Sequence, residues 1–288
     1  MANQEKIGQE KIGIVGTGRM GQAMTRHLIK NGYAVLAQDL EPKAIDAVRA
    51  LGAESAKTPA EVGRACTFVI IAVGYDDEAE AVMLGKDGLL ETMGAGSVIA
   101  VSSTCTPEHV KMLAEKARAK GVEVLDAPIC RGQRAADTGT MLTLCGGKPE
   151  VFERGKPIYS TFSKDIVLLG DIGAGQVGKA MNNFLLWVNG IALIEAGRLS
   201  EANGMDLPKL RDALIMSSGN SDALKNWETM TFLWASKDMQ IVSRMTDKSG
   251  LALPLAGVIK ELVKDGRRIK QSNPPDWTGH RSAGSKAG

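Results

Sequence analysis

The sequence predicts an α/β chain in which a doubly wound parallel sheet is followed by an all-helical domain. Three observations support this class. Short apolar runs separated by helical patterns recur up to about residue 170, as is typical of buried parallel strands. The first strand leads directly into a glycine turn and a helix. Beyond residue 170 only helical patterns continue, so we expect a domain 1–170 and a domain 171–288.

The opening unit carries the clearest functional signal. A strand at 11–15 ends in the turn Gly16-Thr-Gly-Arg-Met-Gly21, and a helical pattern follows at 22–30. Glycines at such a turn allow a phosphate group to approach the backbone N–H groups at the helix start. The next strand, 33–38, ends at Asp39, close to the roughly 20-residue spacing of an acid that hydrogen-bonds a ribose 2′-hydroxyl.

This unit predicts a dinucleotide site, against the alternative of a glycine turn without a ligand. The candidate cofactor residues are Gly16, Gly18, Arg19, Met20, Gly21, Asp39 and Leu40. Asp39 repels a 2′-phosphate and Leu40 offers no arginine to bind one, so we expect NAD rather than NADP.

The later elements follow the same reasoning. A helix is predicted at 44–51, and further strands are predicted at 67–73, 97–101, 122–125, 141–145 and 166–169. One long interdomain helix is predicted from about 175 to 203. The segment from about 272 is rich in Pro, Gly and Ser and predicts a flexible tail, with Trp277 as the one residue that could pack.

Composition excludes several classes of protein. The 288 residues carry a net charge of +2 with mixed signs, which argues against bulk nucleic-acid binding. The longest apolar stretch, 184–194, is short of the roughly 20 residues that cross a bilayer. The polar N-terminus and four scattered cysteines favour a cytoplasmic protein with reduced thiols, and the three histidines show no metal-ligand spacing. No function is assigned to the repeated Gln-Glu-Lys-Ile-Gly of residues 4–13.

A second glycine signature opens the long helix, in the segment Gly173-Ala-Gly-Gln-Val-Gly-Lys179-Ala-Met-Asn-Asn183. Lys179 and Asn183 are four residues apart and share a helix face. A lysine in a desolvated cleft can serve as a general acid/base. The alternative is a solvated lysine on a helix surface.

These motifs together resemble the β-hydroxyacid dehydrogenase family, which includes 3-hydroxyisobutyrate dehydrogenase, tartronate semialdehyde reductase and sulfolactaldehyde reductase. The resemblance implies a Rossmann domain, with Lys179 as the catalytic lysine and Asn183 as a substrate contact. The family's D-x-S-T-x-x-P loop is similar to residues 101–107, which retain Ser103 and Thr104 beside the expected nicotinamide but have Val101 in place of the aspartate.

Two further positions follow from the resemblance. Val73-Gly74 stands where the family usually has Leu-Pro against the cofactor. Lys237 with Asp238 resembles a late Lys-Asp pair whose lysine reaches substrate or cofactor.

The substrate loop departs from the family pattern D-A-P-V-S-G-G. Here it is Asp126-Ala-Pro-Ile-Cys-Arg-Gly-Gln-Arg134. Arg131 replaces a glycine, and sulfolactaldehyde reductases similarly carry arginine there; its guanidinium suits a carboxylate, sulfonate or phosphonate. The alternative is that Arg131 makes only a structural ion pair. The expected substrate-binding residues are Ser103, Cys130, Arg131, Gly132, Arg134 and Lys237.

The expected function is an NAD-dependent oxidoreductase that transfers a hydride between NAD(H) and a small anionic β-hydroxyacid-type alcohol or its semialdehyde, in a homodimer or homotetramer. Two alternatives stay open at this stage. Imine reductases are related, although they commonly replace the lysine. A non-catalytic NAD-binding scaffold is the other alternative, and relatives of that kind also tend to lose the catalytic lysine.

Overall fold

A computed structural model describes residues 10–280 of the chain. They divide into two compact units, and the division falls inside one helix, between Lys179 and Ala180. Most of the repeated pentapeptide segment and residues 281–288 of the expected tail lie outside the described residues.

The first unit is built on a nine-stranded sheet. Its strands are β1 (Ile12–Val15), β2 (Val35–Gln38), β3 (Glu54–Ser55), β4 (Phe68–Ile71), β5 (Val98–Val101), β6 (Glu123–Asp126), β7 (Ile129–Cys130), β8 (Met141–Gly146) and β9 (Ser163–Gly170). They lie in the order β3-β2-β1-β4-β5-β6-β8-β7, and β9 pairs with β8. The first six strands have the order of a doubly wound dinucleotide-binding sheet, which confirms the predicted fold class.

The pairing changes character after β6. Strands β1 to β6 pair in parallel, whereas β8 runs antiparallel to both β6 and β7. An entirely parallel sheet was therefore an incomplete prediction. Only the ten residues 131–140 connect β7 to β8, fewer than the dozen or more that a parallel crossover needs.

Seven helices accompany this sheet. They are α1 (Arg19–Lys30), α2 (Pro42–Ala50), α3 (Pro59–Ala65), α4 (Asp76–Leu84), α5 (Pro107–Arg118), α6 (Gly132–Thr138) and α7 (Pro149–Tyr159). Two apolar clusters contain the inward-facing residues of the strands, with Ile12, Ile14 and Ile70 in one and Val15, Val69 and Ile71 in the other. The alternation shows that both faces of β1 and β4 are buried, which explains why their sequences are apolar throughout. All four cysteines, Cys66, Cys105, Cys130 and Cys145, are buried in this unit.

The long helix α8 (Ala174–Ala202) starts in the first unit and continues into the second, as the long helical pattern predicted. The second unit also contains α9 (Leu207–Ile215), α10 (Asp222–Lys225), α11 (Ala235–Ser249) and α12 (Pro254–Ser272). Within the described range, no strand follows Gly170. The helical second domain is thus confirmed.

The core of the second unit is rich in tryptophan. Trp187, Trp227 and Trp277 are buried there, and Trp234 is half-exposed. The indole N–H of Trp277 donates to the Leu193 carbonyl at 3.0 Å. The segment for which we expected flexibility is therefore anchored by Trp277 as far as the described residues extend.

None of the helices that the structure describes combines the length and apolar character needed to cross a membrane.

Candidate active site

The glycine turn after β1 has three glycines with different constraints. Gly16 has a left-handed backbone (φ 91°), and a side chain at Gly21 would overlap the Gly16 carbonyl. A side chain at Gly18 would meet nothing within 4 Å. Gly16 and Gly21 are therefore required by the turn itself, whereas Gly18 leaves open space at the start of α1.

The first turn of α1 suits an anion. No side chain of the described residues caps it, and it contains no acidic residue. Uncapped N–H groups and the positive end of the helix dipole both favour a phosphate at such a position. The residues present therefore fit a dinucleotide pyrophosphate, with Arg19 exposed and Met20 half-buried beside the turn.

Asp39 lies at the end of β2 and faces this turn. One carboxylate oxygen accepts from the Thr17 N–H at 2.5 Å, and the other accepts from the Glu41 N–H at 2.9 Å. A carboxylate has about four acceptor positions, so it retains capacity for ribose hydroxyls. Leu40, next to it, is 94% exposed.

The loops after β4 and β5 are linked to each other. The Val73 N–H donates to the Ser103 hydroxyl at 2.9 Å, and the Gly74 N–H donates to a Glu78 carboxylate oxygen at 2.7 Å. Ser103 is buried, while Thr104 is half-buried. The geometry therefore brings Val73 and Ser103, two of the predicted cofactor residues, into direct contact at the carboxyl edge of the sheet.

A buried polar network, which the sequence analysis did not identify, lies beside these loops. Asp126 ends β6, and Gln176 is in the first turn of α8; both are fully buried. One Asp126 oxygen accepts from the Gly173 N–H at 3.0 Å and the Gln176 N–H at 3.1 Å, and the other accepts from Gln176 Nε2 at 2.9 Å. Gln176 also donates to the Ser103 carbonyl at 3.0 Å and accepts from the Cys105 N–H at 2.9 Å.

This network explains the second glycine signature. Gly173 has a left-handed backbone (φ 96°), and a Cβ at Gly175 would lie 2.9 Å from an Asp126 oxygen and 2.7 Å from the Leu144 carbonyl. These glycines thus allow the start of α8 to close around a carboxylate of the protein itself. Burial raises the pKa of Asp126 to about 6, although the hydrogen bonds from Gln176, Gly173 and Gly175 act in the opposite direction.

Lys179 lies three residues after Gln176 on α8 and is half-buried. Asn183 is one turn further on, 5% exposed, and its side-chain oxygen accepts from Asn182 Nδ2 at 3.0 Å. The predicted helical spacing of the lysine and the asparagine is therefore present.

The substrate loop places Arg131 in an unusual backbone conformation. Its φ of 80° is left-handed, a region that favours the glycine of the family pattern. Its Nη1 forms an ion pair with Asp165 at 2.6 Å and donates to the Thr140 carbonyl at 3.1 Å. Nη2 and Nε donate to none of the described residues. The ion pair that the sequence analysis gave as the alternative role of Arg131 is thus present. The Nε/Nη2 edge of the guanidinium is still available to an anion.

The neighbours of Arg131 differ in accessibility. Cys130 is buried at the end of β7, Gly132 has a left-handed backbone with open space around it, and Arg134 is exposed on α6. A buried thiol of this kind is a poor candidate for direct substrate contact.

Lys237 belongs to the second unit, on α11. Its Nζ lies 5.9 Å from the centre of the Trp234 ring. The adjacent Asp238 is buried and accepts from the Trp187 indole N–H at 3.0 Å. Asp238 therefore stabilises the core of this unit through its hydrogen bond with Trp187, while Lys237 is half-buried.

The described residues contain no group of three or more His, Cys, Asp or Glu side chains that could hold a metal ion. What the first unit does provide is an uncapped helix start, an acid that is hydrogen-bonded to the glycine turn, and a lysine one turn beyond the Gln176 that bonds to the Ser103 loop.

Two family models match the chain. Residues 11–170 match the NAD binding domain of 6-phosphogluconate dehydrogenase, and residues 173–276 match the NAD-binding domain of NADP-dependent 3-hydroxyisobutyrate dehydrogenase. Together they span both units described above.

Individual relatives agree with this result. The 2-(hydroxymethyl)glutarate dehydrogenase of Eubacterium barkeri is 30% identical over 90% of each chain. The 3-hydroxyisobutyrate dehydrogenase of Pseudomonas aeruginosa is 36% identical over 74% of this chain and 72% of its own. Among solved structures, 3-hydroxyisobutyrate dehydrogenase of Mycobacterium tuberculosis with L-serine matches with a TM-score of 0.82 over 92% of this chain and 95% of that one, at 22% identity, which shows the shared fold.

The doubly wound sheet, the glycine turn and both family matches agree, and the chain belongs to the β-hydroxyacid dehydrogenase family as an NAD(P)-dependent enzyme that acts on CH–OH groups.

Proposed function

We propose that this enzyme oxidises a small β-hydroxy acid with a primary alcohol, or reduces the matching semialdehyde, using NAD(H). The observation that carries the proposal is the position of Lys179 on α8, one turn beyond the network that links α8 to Ser103. The names of the relatives support the substrate class, because 2-(hydroxymethyl)glutarate and 3-hydroxyisobutyrate share a hydroxymethyl group on the carbon next to a carboxylate.

The proposed cofactor residues lie on the first unit. The N–H groups at Gly18, Arg19 and Met20 bind the pyrophosphate, and Asp39 accepts from the ribose hydroxyls. Since a carboxylate next to exposed Leu40 repels a 2′-phosphate, NAD is preferred over NADP. When bound, the nicotinamide ring supplies or accepts the hydride.

Lys179 is the proposed general acid/base. In reduction its ammonium donates a proton to the carbonyl oxygen that becomes the alcohol, and in oxidation the neutral amine removes the hydroxyl proton. Asn183, on the same helix face, is proposed to orient a substrate oxygen. Lys237, on α11 of the second unit, is proposed to contact substrate or cofactor.

Arg131 is the proposed anion-binding residue. Asp165 and Thr140 hold Nη1, so the guanidinium has a defined orientation, and the Nε/Nη2 edge matches the two oxygens of a carboxylate or sulfonate. Arg134, Gly132 and Cys130 are proposed to shape the loop around this contact.

The second unit exposes apolar residues that suit a subunit interface. Leu255, Val258 and Leu262 form a stripe along α12, and each is more than one third exposed. We infer a homo-oligomer from this stripe, a dimer or a tetramer. Light scattering on the purified protein tests it, and a monomer at micromolar concentration would contradict it.

The central experiment measures initial rates of NADH oxidation with sulfolactaldehyde and with the semialdehydes of tartronate, methylmalonate and succinate, each repeated with NADPH. Alcohol oxidation is measured with 3-hydroxyisobutyrate, L-serine and 2-(hydroxymethyl)glutarate. Lys179→Met should lower kcat by at least about a hundredfold, within the usual range for general acid/base groups. Lys116→Met, at an exposed lysine on α5, is the matched control and should retain full activity.

Two results would contradict the proposal. If Lys179→Met retains its kcat, the lysine is not the acid/base. If none of these alcohols or aldehydes is turned over while cyclic imines are reduced, the enzyme belongs with the imine reductases instead.

A further inference from the structure

Three segments of the first unit meet at the Gln176 side chain. Gln176 donates through Nε2 to the Ser103 carbonyl and to Asp126, and accepts through Oε1 from the Cys105 N–H. The loop after β5 is thereby joined to the end of β6 and to the first turn of α8.

The amide group is required for this arrangement. Cys105 offers a donor, whereas Ser103 and Asp126 offer acceptors, so the bridging group must accept on one side and donate twice on the other. A glutamine side chain meets this requirement, because one end of its amide accepts and the other has two donor hydrogens. A carboxylate of the same size would place its negative charge against Asp126 and the Ser103 carbonyl.

The network also lies next to the proposed chemistry. Ser103 accepts from the Val73 N–H at 2.9 Å, and Lys179 is one turn beyond Gln176 on the same helix. Because Gln176, Asp126 and Ser103 are buried, a hydrogen bond lost among them is not replaced by water. A shift of the loop relative to α8 would therefore change the distance between Ser103 and Lys179.

We propose that Gln176, braced by Asp126, is a positioning residue that fixes Lys179 relative to the Ser103 loop. This inference rests on the proposed role of Lys179 as the acid/base. It assigns no contact with substrate to Gln176 itself.

The variant Gln176→Glu should show a pH-dependent recovery of kcat, which a simple loss of packing would not produce. Two carboxyls at hydrogen-bond distance share a proton, so one of them has a strongly raised pKa. As the pH falls, the introduced carboxyl becomes protonated and can donate to Asp126 again. Cys145 on β8 and Tyr159 on α7 also interact with Asp126; burial raises the pKa of each, so both stay neutral in this range.

We therefore expect the kcat of Gln176→Glu to be at least about tenfold below wild type at pH 8.5, since it loses a hydrogen bond to a charged group. The ratio of variant to wild-type kcat should rise at least about threefold between pH 8.5 and pH 6. Gln176→Met should lose a similar factor at pH 8.5 without any recovery at pH 6. The exposed Gln271→Glu on α12 adds the same charge and should match wild type throughout.

The exchange variant Asp126→Asn/Gln176→Glu provides a rescue. Its asparagine amide donates to the introduced carboxylate, which restores the pairing in the reverse sense. We expect a kcat at pH 8.5 several-fold above that of Gln176→Glu, with the pH-dependent recovery abolished. NADH affinity, measured by fluorescence titration, should change less than about threefold in all variants.

Distinct results would overturn the inference. A Gln176→Glu variant with wild-type kcat at pH 8.5, or a pH profile parallel to that of Gln176→Met, would show that the amide does not position the site. If Gln176→Glu does not fold, a folded Gln176→Met variant with undiminished kcat has the same meaning. Failure of the proposed function is separate, because it appears as retained activity in Lys179→Met.

Discussion

Replacing Arg131 by glycine separates substrate binding from structural support at this position. The left-handed backbone (φ 80°) costs a non-glycine residue about 1–2 kcal/mol, and glycine removes this cost. The substitution also loses the half-exposed ion pair to Asp165, worth about 0–1 kcal/mol, and the hydrogen bond to the Thr140 carbonyl, worth about 1 kcal/mol. These contributions nearly cancel, so the free energy of unfolding should change by less than about 1 kcal/mol.

The kinetic effect should be much larger than the effect on stability. A charge-assisted contact to the anionic end of the substrate contributes about 1.5–3 kcal/mol, and loss of the lower value corresponds to roughly tenfold. We expect the KM of Arg131→Gly for its preferred anionic aldehyde to rise about tenfold or more. The assay is the initial rate of NADH oxidation over a range of aldehyde concentration, paired with urea unfolding of the same preparation.

Asp165→Asn is the matched control, since it releases Nη1 but keeps the guanidinium. Its KM should rise less than that of Arg131→Gly, because the anion-binding edge is still present but less well oriented. An unchanged KM in Arg131→Gly would refute the reasoning, and it would restrict the arginine to its contacts with Asp165 and Thr140.

Three further predictions concern the cofactor turn, Asp126 and the C-terminal segment. Gly18→Ala should fold normally but bind NADH more weakly, whereas Gly21→Ala should lose stability because its side chain overlaps the Gly16 carbonyl; equal unfolding midpoints in urea would contradict this. The pKa of Asp126 is raised from 3.8 to about 6, so the folded state holds the proton more tightly than the unfolded chain. The resulting stabilisation, on the order of 3 kcal/mol, is fully present below about pH 4 and is lost as the pH rises through 6. Urea unfolding against pH should show this loss in the wild type and not in Asp126→Asn. Trp277→Ala should cost about 3–5 kcal/mol, and Trp277→Phe markedly less, by thermal unfolding; a wild-type midpoint in Trp277→Ala would show that the segment from 272 contributes nothing to the core.

The sequence was sufficient where the signal is local. The glycine turn, the apolar strands and the long helix are each encoded in a few consecutive residues, and all of them are present in the structure. Strands β3 and β7 have only two residues each, too few to show a period, and no sequence pattern indicates that β8 runs antiparallel to β6.

The candidate site was predictable only in part, because some of its residues interact with partners far away in the sequence. Gly16, Asp39, Lys179 and Asn183 were identified by motif and spacing, and their roles stay predictions. Gln176 lies within the second glycine signature, but its neighbours in the sequence indicate no role for it, because its importance comes from Asp126, which is 50 positions away in the chain. A polar residue among the glycines at the start of an apolar helix is the one signal that could have indicated it. The ion pair between Arg131 and Asp165 likewise depends on the pairing of β8 with both β7 and β9.

The distribution of cysteine and tryptophan gives the protein two built-in spectroscopic reporters. All four cysteines are buried in the first unit, and all four tryptophans belong to the second. Buried thiols react with a coloured reagent only when the sheet unit opens, while indole fluorescence follows the helical unit. Recording both signals in one denaturation experiment would show which unit is lost first, without a tag or a substitution. If the two signals change together, the helix that crosses the boundary couples both units into one cooperative transition.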